Sequence, residues 1–466
     1  MKNTRTRMSA ALVVALVMGL LAACGDDDDG GGGGGAEDAG AVDEEVTISV
    51  SNLPPETEAS VREAFLTRVE EFEEANPNIT IEPMEWEWEV GTFGAQIAGG
   101  TLPTTFEIPF TYGPTLIERG QLQDITAEVE ALPYADEFNP AVLDGVQDDD
   151  DKIYAVPAKA YALGLHYNRT LFTQAGLDPE RPPTTWDEVR EYADRIAEAT
   201  GQAGYMQMTQ DSTGGWILTA HTTALGGRIE DGSGDDVTAT LDNPGTKEAL
   251  ENLKAMRWED DSMGDNFLFD WGTINQAFAA GQVGMYLSGS DVYDSLVTEN
   301  NVTPDSYGLS VVPLADGDDA GVLGGGTIVG VRPDTSPAER AAAVKWIDFF
   351  YLSKLTDQGA ATADAQALSE SDAPVGTPTL PVFNAEQLAE SDGWVSQYVN
   401  VPLDQMMPFK DNILAQPLVP EPPVAAQEVY AELDSVVQAI LTDENADIDA
   451  LLEQANANVQ SLVESG

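Results

Sequence analysis

Two different periods of apolar and polar positions alternate along this chain of 466 residues. Val46, Ile48 and Val50 are separated by Thr47 and Ser49, a period of two that predicts a strand. Pro54-Pro55 breaks it, and Val61, Phe65, Val69 and Phe72 then recur at helical spacing until Asn76-Pro77-Asn78 stops the helix. Ile79 to Ile81 predicts a second strand and Thr105 to Ile108 a third. Thr185 and Glu188 form the ends of a capping box, with Val189, Tyr192 and Ile196 on one helix face and Gly201 at its close. Ser336 and Glu339 form another, with Pro337 at the first helical position and Val344, Ile347 and Tyr351 following. Val283 to Leu287 reads as a short strand after a helix ending at Gly281. Closing helices are predicted over about Ala425 to Ile440 and Asp447 to Val463. Strand–helix alternation of this length predicts an α/β architecture with largely parallel sheets. No internal repeat is present.

The first 45 residues follow neither period. Lys2, Arg5 and Arg7 precede an apolar stretch from Ala10 to Ala23, and Leu21-Ala22-Ala23-Cys24 closes it. A basic start, a short apolar core and small residues at the end predict a secretory signal peptide over residues 1–23. The apolar run falls short of the roughly 20 residues a membrane span needs. Its last four residues resemble the lipobox of bacterial lipoproteins, which implies cleavage before Cys24 and a diacylglyceryl group on its sulfur. Such a thioether explains why the only cysteine of an exported chain stays unpaired; a buried free thiol is the alternative. Residues 24–45, with Asp26 to Asp29 and Gly30 to Gly35, cannot form a core and read as a self-repelling tether spanning about 25 Å. The body beyond Val46 is too long for one hydrophobic core and suits two domains. None of its stretches is long and apolar enough to cross a membrane.

Acids number 81 and bases 21, for a net charge of −60. The acids are scattered rather than gathered in one tail, so nucleic acid and anionic lipid are poor partners. Such a surface repels itself unless salt screens it, over about 3 Å at 1 M ionic strength, which points to a halophilic host. The abundance of carboxylates also means that paired acids arise by chance.

Several segments together resemble one family. Glu71-Phe72-Glu73-Glu74-Ala75-Asn76-Pro77-Asn78-Ile79-Thr80-Ile81 is similar to its first helix–strand junction. Ile153 to Pro157, Gly164 to Phe172, Ala175 to Pro179 and Pro182 to Glu188 resemble its central block, and Phe278 to Tyr286 and Gly324 to Gly326 follow in order. These are features of bacterial extracellular solute-binding proteins of ABC importers, of the maltose-binding-protein-like class that mostly carries sugars. The resemblance implies a two-lobed periplasmic-binding-protein fold, each lobe a mostly parallel sheet flanked by helices, with ligand in the cleft between them. It implies a first lobe of 46–158 plus 313–376 and a second of 159–312 plus 377–466. It also implies hinge closure, a carbohydrate ligand, permease subunits as partners, a monomer, and residence on the outer face of the cytoplasmic membrane through the lipid on Cys24.

A sugar offers hydroxyls at its edges and apolar C–H faces, so its site needs flat rings and paired donors and acceptors. Trp86 and Trp88 alternate with acids beyond the second strand and point to one side if the strand continues; core packing under the next helix is the alternative. Phe110 and Tyr112 follow the third strand, at a turn that touches ligand in relatives, although Pro103 is followed here by Thr104 rather than the family's aspartate. Tyr161 lies at the first crossover. Trp216, with Gln210 and Asp211 nearby, lies in a Gly-Gly turn that matches the second-lobe aromatic platform. Trp271, beside Asp270, precedes a helix. Asp291 can accept two sugar hydroxyls or cap a helix; relatives place a tryptophan near it, whereas Tyr293 is the nearest ring here. Gly325 and Gly326 either let backbone approach the ligand or serve a turn. Trp394 and Phe409 flank the cleft in relatives.

No phosphate-loop motif is present, so the transport ATPase is another chain. With His166 and His221 as the only histidines and no second cysteine, no metal site, no Cys-His nucleophile and no cofactor is indicated. His166 reads as a packed core residue, and Asp148 to Asp151 as a solvated turn rather than a calcium loop. An anionic ligand is disfavoured by the charge, with Lys159 and Arg169 as possible exceptions. Other readings are a compatible-solute or polyamine binder, in which acids and tryptophans enclose a cation, a ligand sensor of the same fold, or a surface glycoside hydrolase with two carboxylates about 5–9 Å apart.

Overall fold

The computed structural model describes Val42 and residues 44–464, apart from Glu89 and residues 233–235. Cys24, the signal segment and most of the tether lie outside the described residues.

Eleven strands are present among the described residues: β1 (Val46–Val50), β2 (Ile79–Pro83), β3 (Thr105–Pro109), β4 (Ala155–Asn168), β5 (Ala203–Tyr205), β6 (Glu230–Asp231), β7 (Thr238–Ala239), β8 (Val283–Gly289), β9 (Tyr307–Val311), β10 (Val322–Val331) and β11 (Leu418–Pro420). The main sheet runs β2-β1-β3-β10-β4-β8-β5, with β11 on β10 and β9 on β4. At its flanks the strands are parallel, β1 with β2 and β3 and β5 with β8. At its centre β10 runs antiparallel to β3 and β4, and β4 antiparallel to β8 and β9, while the short β11 is parallel to β10. The sheet is therefore mixed, with helices packed on it.

The 14-residue β4 joins the two halves. Its first part, Ala155 to Ala162, pairs with β10, and its second part, Leu163 to Asn168, pairs with β8 and β9. Leu163, Leu165 and Tyr167 are fully buried, as is His166, which bonds Tyr307 Oη through Nδ1 (2.8 Å) and the Ser288 carbonyl through Nε2 (3.2 Å). Burial holds that imidazole neutral, with its pKa pushed down to about 4.

The local signals formed as read. The first long helix covers Ala59–Ala75, and its Phe65 and Phe72 close a separate outer core with Ile48, Val50 and Trp346. Both arms of the Ser336–Glu339 capping box are present. Thr185 accepts from the Glu188 N–H, but the Glu188 carboxylate reaches back to Thr184 rather than to Thr185. Trp86 and Trp88 lie beyond the end of β2, as read, in an extended segment outside the sheet. One expectation is corrected. Trp216 lies in the first turn of a helix, Thr213–Ala224, rather than in a Gly-Gly turn.

Gly325 and Gly326 belong to β10, where they allow a close approach to β4. A methyl group on Gly325 would sit 3.1 Å from Tyr161 Oη, and one on Gly326 would sit 2.0 Å from the Lys159 carbonyl oxygen. The second contact is with backbone and cannot be relieved by a rotamer change. Gly326→Ala is therefore expected to destabilise the protein by about 3 kcal/mol, at the upper end of overpacking costs. Urea denaturation monitored by tryptophan fluorescence checks this, and an unchanged midpoint would mean that the two strands can separate freely.

Candidate functional site

The approach of two helices builds the site. Between β5 and the helix Thr213–Ala224, Asp211 and Ser212 both take left-handed backbone conformations, with φ of 55° and 66°. Strained non-glycine residues of this kind cluster where surrounding structure holds them for a purpose. Asp434, on the helix Ala426–Thr442, does the holding: its Oδ2 accepts from the Ser212 N–H and its Oδ1 from the Gly215 N–H, both at 2.8 Å. A methyl on Gly214 would meet Asp434 Oδ1 at 2.7 Å, and one on Gly215 would meet the Tyr430 carbonyl oxygen at 2.2 Å. The two glycines thus let the helices touch, which sets the position of Trp216 one residue later. Asp434→Ala removes two charge-assisted bonds from a residue 8% exposed and is expected to cost about 2–4 kcal/mol. Its urea midpoint should fall, and its ligand affinity should fall further than that of a surface control such as Glu444→Ala.

Trp216 stands edge-on to Tyr161 of β4, with ring centroids 6.5 Å apart and planes at 71°. The two rings line a cavity of about 300 Å³ with Asp211, Ser212, Thr213, Glu421, Gln427 and Tyr430. Tyr161 Oη donates to Glu421 Oε1 at 3.0 Å. Burial raises the pKa of Glu421, while the nearby Tyr161, Trp216 and Tyr430 donors favour its charged form. Of these donors only Tyr161 reaches hydrogen-bond geometry; the Trp216 indole N–H and the Tyr430 hydroxyl are buried without a partner. A carboxylate beside two unsatisfied donors and a pair of rings is the chemistry that orients a polyhydroxylated ligand.

A second cavity, of about 310 Å³, shares Glu421 with the first. One wall is Phe110 and Thr111, from the turn after β3, with Asp144 and Gly145. The opposite wall is Thr219, Thr223 and residues 228–232, and the segment 419–423 closes it. Glu230 is 6% exposed there, its Oε2 accepting from the Val424 N–H at 3.0 Å and its Oε1 unpaired. Burial pushes its pKa up to about 7.

Of the residues singled out from sequence, Tyr161, Asp211 and Trp216 are brought together. Trp88 is half-buried against Phe93 and Tyr112, at ring separations of 4.3 and 4.6 Å. The Tyr112 pKa is raised by burial and then by the charges of Glu428 and Glu421, although neither ring of this pair lines the two cavities. Phe110 is buried in the wall of the second cavity. Trp86 instead serves the core: it is 7% exposed, packs on Phe106, and donates its indole N–H to Gln96 Oε1 at 3.0 Å. Trp271 is an exposed first residue of the helix Trp271–Ala279, outside both cavities. Asp291 makes no cap bond and pairs with Lys159 at 3.2 Å. Phe409 is fully buried. Arg169 is engaged by Glu180 and the Pro179 carbonyl.

Sequence reasoning missed Glu421, Glu230, Tyr430 and Asp434. Glu421 had a usable signal, since Pro420, Pro422 and Pro423 bracket it and keep that backbone extended. A larger groove of about 350 Å³ lies along residues 376–383 and the helix Ala385–Val395. Its ring, Phe383, is already stacked on Phe138, so it offers no platform like that of Trp216.

Residues 67–368 match the family described as bacterial extracellular solute-binding protein. A binding protein of Brucella abortus is 26% identical over 259 residues, covering 52% of this chain and 57% of that protein. The sn-glycerol-3-phosphate-binding periplasmic protein of Escherichia coli is 27% identical over 191 residues, covering 40% of this chain and 42% of that protein. The chain thus aligns with about half the length of these relatives. Among solved structures, the cyclic alpha-maltosyl-1,6-maltose binding protein of Arthrobacter globiformis superposes with a TM-score of 0.64 at 22% identity, over 90% of this chain and all of that one. The sugar-binding protein MalE of Xanthomonas citri gives a TM-score of 0.66 at 14% identity, over 90% and 98% of the two chains. UgpB of Mycobacterium tuberculosis, in complex with glycerophosphocholine, gives 0.65 at 17% identity, over 90% and 99%. The chain shares their fold, that of two-lobed periplasmic binding proteins.

Proposed function

From its membership of the bacterial extracellular solute-binding proteins, the family to which this chain belongs, we propose that it captures a neutral carbohydrate and delivers it to the permease subunits of an ABC importer. The observation that carries this reading is the Tyr161–Trp216 ring pair around Glu421, in a cavity that holds donors without partners. Rings meet the apolar faces of a sugar, and the carboxylate, the Trp216 N–H and the Tyr430 hydroxyl meet its edges. The E. coli relative is named for a phosphorylated glycerol. Here Lys159 and Arg169 are engaged by acids, and the second cavity sets five carboxylates against Arg228, which favours an uncharged or cationic ligand over a phosphate.

In this reading no reaction is catalysed. With lobe limits near 46–158 plus 313–376 and 159–312 plus 377–466, the ligand lies between two bodies joined by crossovers, the first of them within β4. Closure on ligand, and reopening when docking to the permease favours the open form, then drive capture and release. A diacylglyceryl group on Cys24 holds the protein near its permease at high local concentration. Cys24→Ser should release it into the medium. The acidic surface calls for screening by salt, so thermal melts should show higher stability at molar than at low ionic strength.

A thermal-shift screen against mono- and oligosaccharides, polyols, betaines and polyamines tests the ligand class. A ligand at about 100 times its dissociation constant adds about 2.7 kcal/mol. A shift with a sugar is the expected result; a shift with betaine or a polyamine and with no sugar would overturn it. Because Glu230 and Glu421 share a cavity, turnover of a labelled oligosaccharide is the control for glycoside hydrolysis, and product release would replace transport with catalysis.

A further inference from the structure

The carboxyl of Glu230 has one oxygen engaged and one idle. We propose that the cavity it lines is a subsite for a primary ammonium group, so that the carbohydrate this protein carries is an amino sugar or contains one. The inference rests on the carbohydrate reading above and adds the substituent that the ligand must bear.

Three observations meet at this cavity. Glu230 is 6% exposed and its Oε1 has no hydrogen-bond partner, while Oε2 is held by the Val424 N–H. A buried acceptor left unpaired is costly, so a ligand that supplies a donor there gains that free energy back. Glu421 is common to this cavity and to the ring-walled one, so a saccharide seated against Trp216 has the Glu230 cavity at its edge. The lining is also strongly one-signed. Glu118 and Asp144 face in from one half, Asp231 from beside Glu230, and Glu421 from the closing segment. Arg228 is the cation among them, and its guanidinium bonds the adjacent Gly227 carbonyl at 2.7 Å.

A hydroxyl would satisfy Glu230 Oε1 but would leave the surrounding negative charge unanswered. An ammonium brings three donors and a positive charge. A phosphate or carboxylate would meet the same lining as repulsion. The charge of Glu230 reaches the ring-walled cavity too: the Tyr430 pKa is raised by burial, then by Glu421, Tyr161 and Glu230. With its pKa near 7, Glu230 is partly protonated at neutral pH, so an ammonium arriving beside it drives that proton off.

The experiment is titration calorimetry of the full chain near pH 7. The probes are chitosan disaccharide, its N-acetylated form and cellobiose. The amino disaccharide is expected to bind about tenfold more tightly than the other two. In Glu230→Gln the amide oxygen still accepts from the Val424 N–H, and the preference for the amino disaccharide should be lost, so that the three affinities converge. Equal affinities in the wild-type protein, or a preference that survives in Glu230→Gln, would overturn the ammonium subsite and leave the carbohydrate reading standing. Binding of none of the three, with a thermal shift from another solute class, would remove the carbohydrate reading and this inference with it. The order of the three affinities is read on the wild-type protein and is independent of whether the variant folds.

Discussion

Trp216→Ala is expected to weaken ligand binding about a hundredfold, a loss of roughly 2–3 kcal/mol, which is the range for a central aromatic anchor. The ring forms one side of the cavity and stands against Tyr161, so its removal takes away both a stacking surface and the edge contact that steadies the Tyr161 ring. Its indole N–H lies near Glu421 without reaching hydrogen-bond geometry, so truncation costs the free protein less than loss of a formed bond. Folding should suffer less than binding, since Trp216 is half-buried on the first turn of a helix anchored by Asp434. Tyr161→Phe separates the two roles. It keeps the ring and removes the donor to Glu421, and an affinity loss of about tenfold is expected because a buried carboxylate then lacks its direct partner. Calorimetry on whichever ligand the thermal screen identifies measures both. Wild-type affinity in Trp216→Ala would move the platform to the Trp88–Tyr112 pair.

Glu230→Gln is expected to make the protein more stable at pH 8 by about 3 kcal/mol and to leave it unchanged near pH 4.5. The sign follows from proton linkage. Burial raises the Glu230 pKa from the ordinary 4.5 to about 7, a difference worth about 3 kcal/mol. Between those values the folded protein binds more protons than the unfolded chain. The contribution is therefore fully present below 4.5 and is lost as pH rises to about 7, with no further change above. The glutamine variant carries no such loss. Other groups pull both ways: burial raises Asp294, Asp348, Asp434 and Glu421, whereas hydrogen bonds lower Glu188 and Asp270. The diagnostic quantity is for that reason the difference between wild type and variant across the pH range, read by urea denaturation. A constant difference from pH 4.5 to 8 would mean that Glu230 titrates normally.

Short-range features of the fold are legible in the sequence, and long-range ones are not. The capping box at Ser336 and Glu339 and the strand–helix alternation were legible because each depends on residues a few positions apart. Trp86 shows where such reading stops. Two tryptophans in alternation look alike on paper, yet one is turned into the core by Phe106 and Gln96 and the other is left beside Tyr112. Trp216 shows the same limit from the other side. Gly214-Gly215 reads as a turn because glycine weakens helices, but here the glycines serve helix contact and the segment is helical.

By itself the sequence determined the α/β class, the resemblance to solute-binding proteins, the acidic surface and three of the side chains that line one cavity, Tyr161, Asp211 and Trp216. Only the tertiary structure decided which carboxylates matter. With 81 acids in the chain, composition cannot distinguish Glu230 and Glu421 from the rest. Tyr161 and Glu421 are 260 residues apart, as distant in sequence as they are close in the site. The distinction comes from desolvation, which depends on what packs around a group, and that is set by the approach of segments that no local pattern relates.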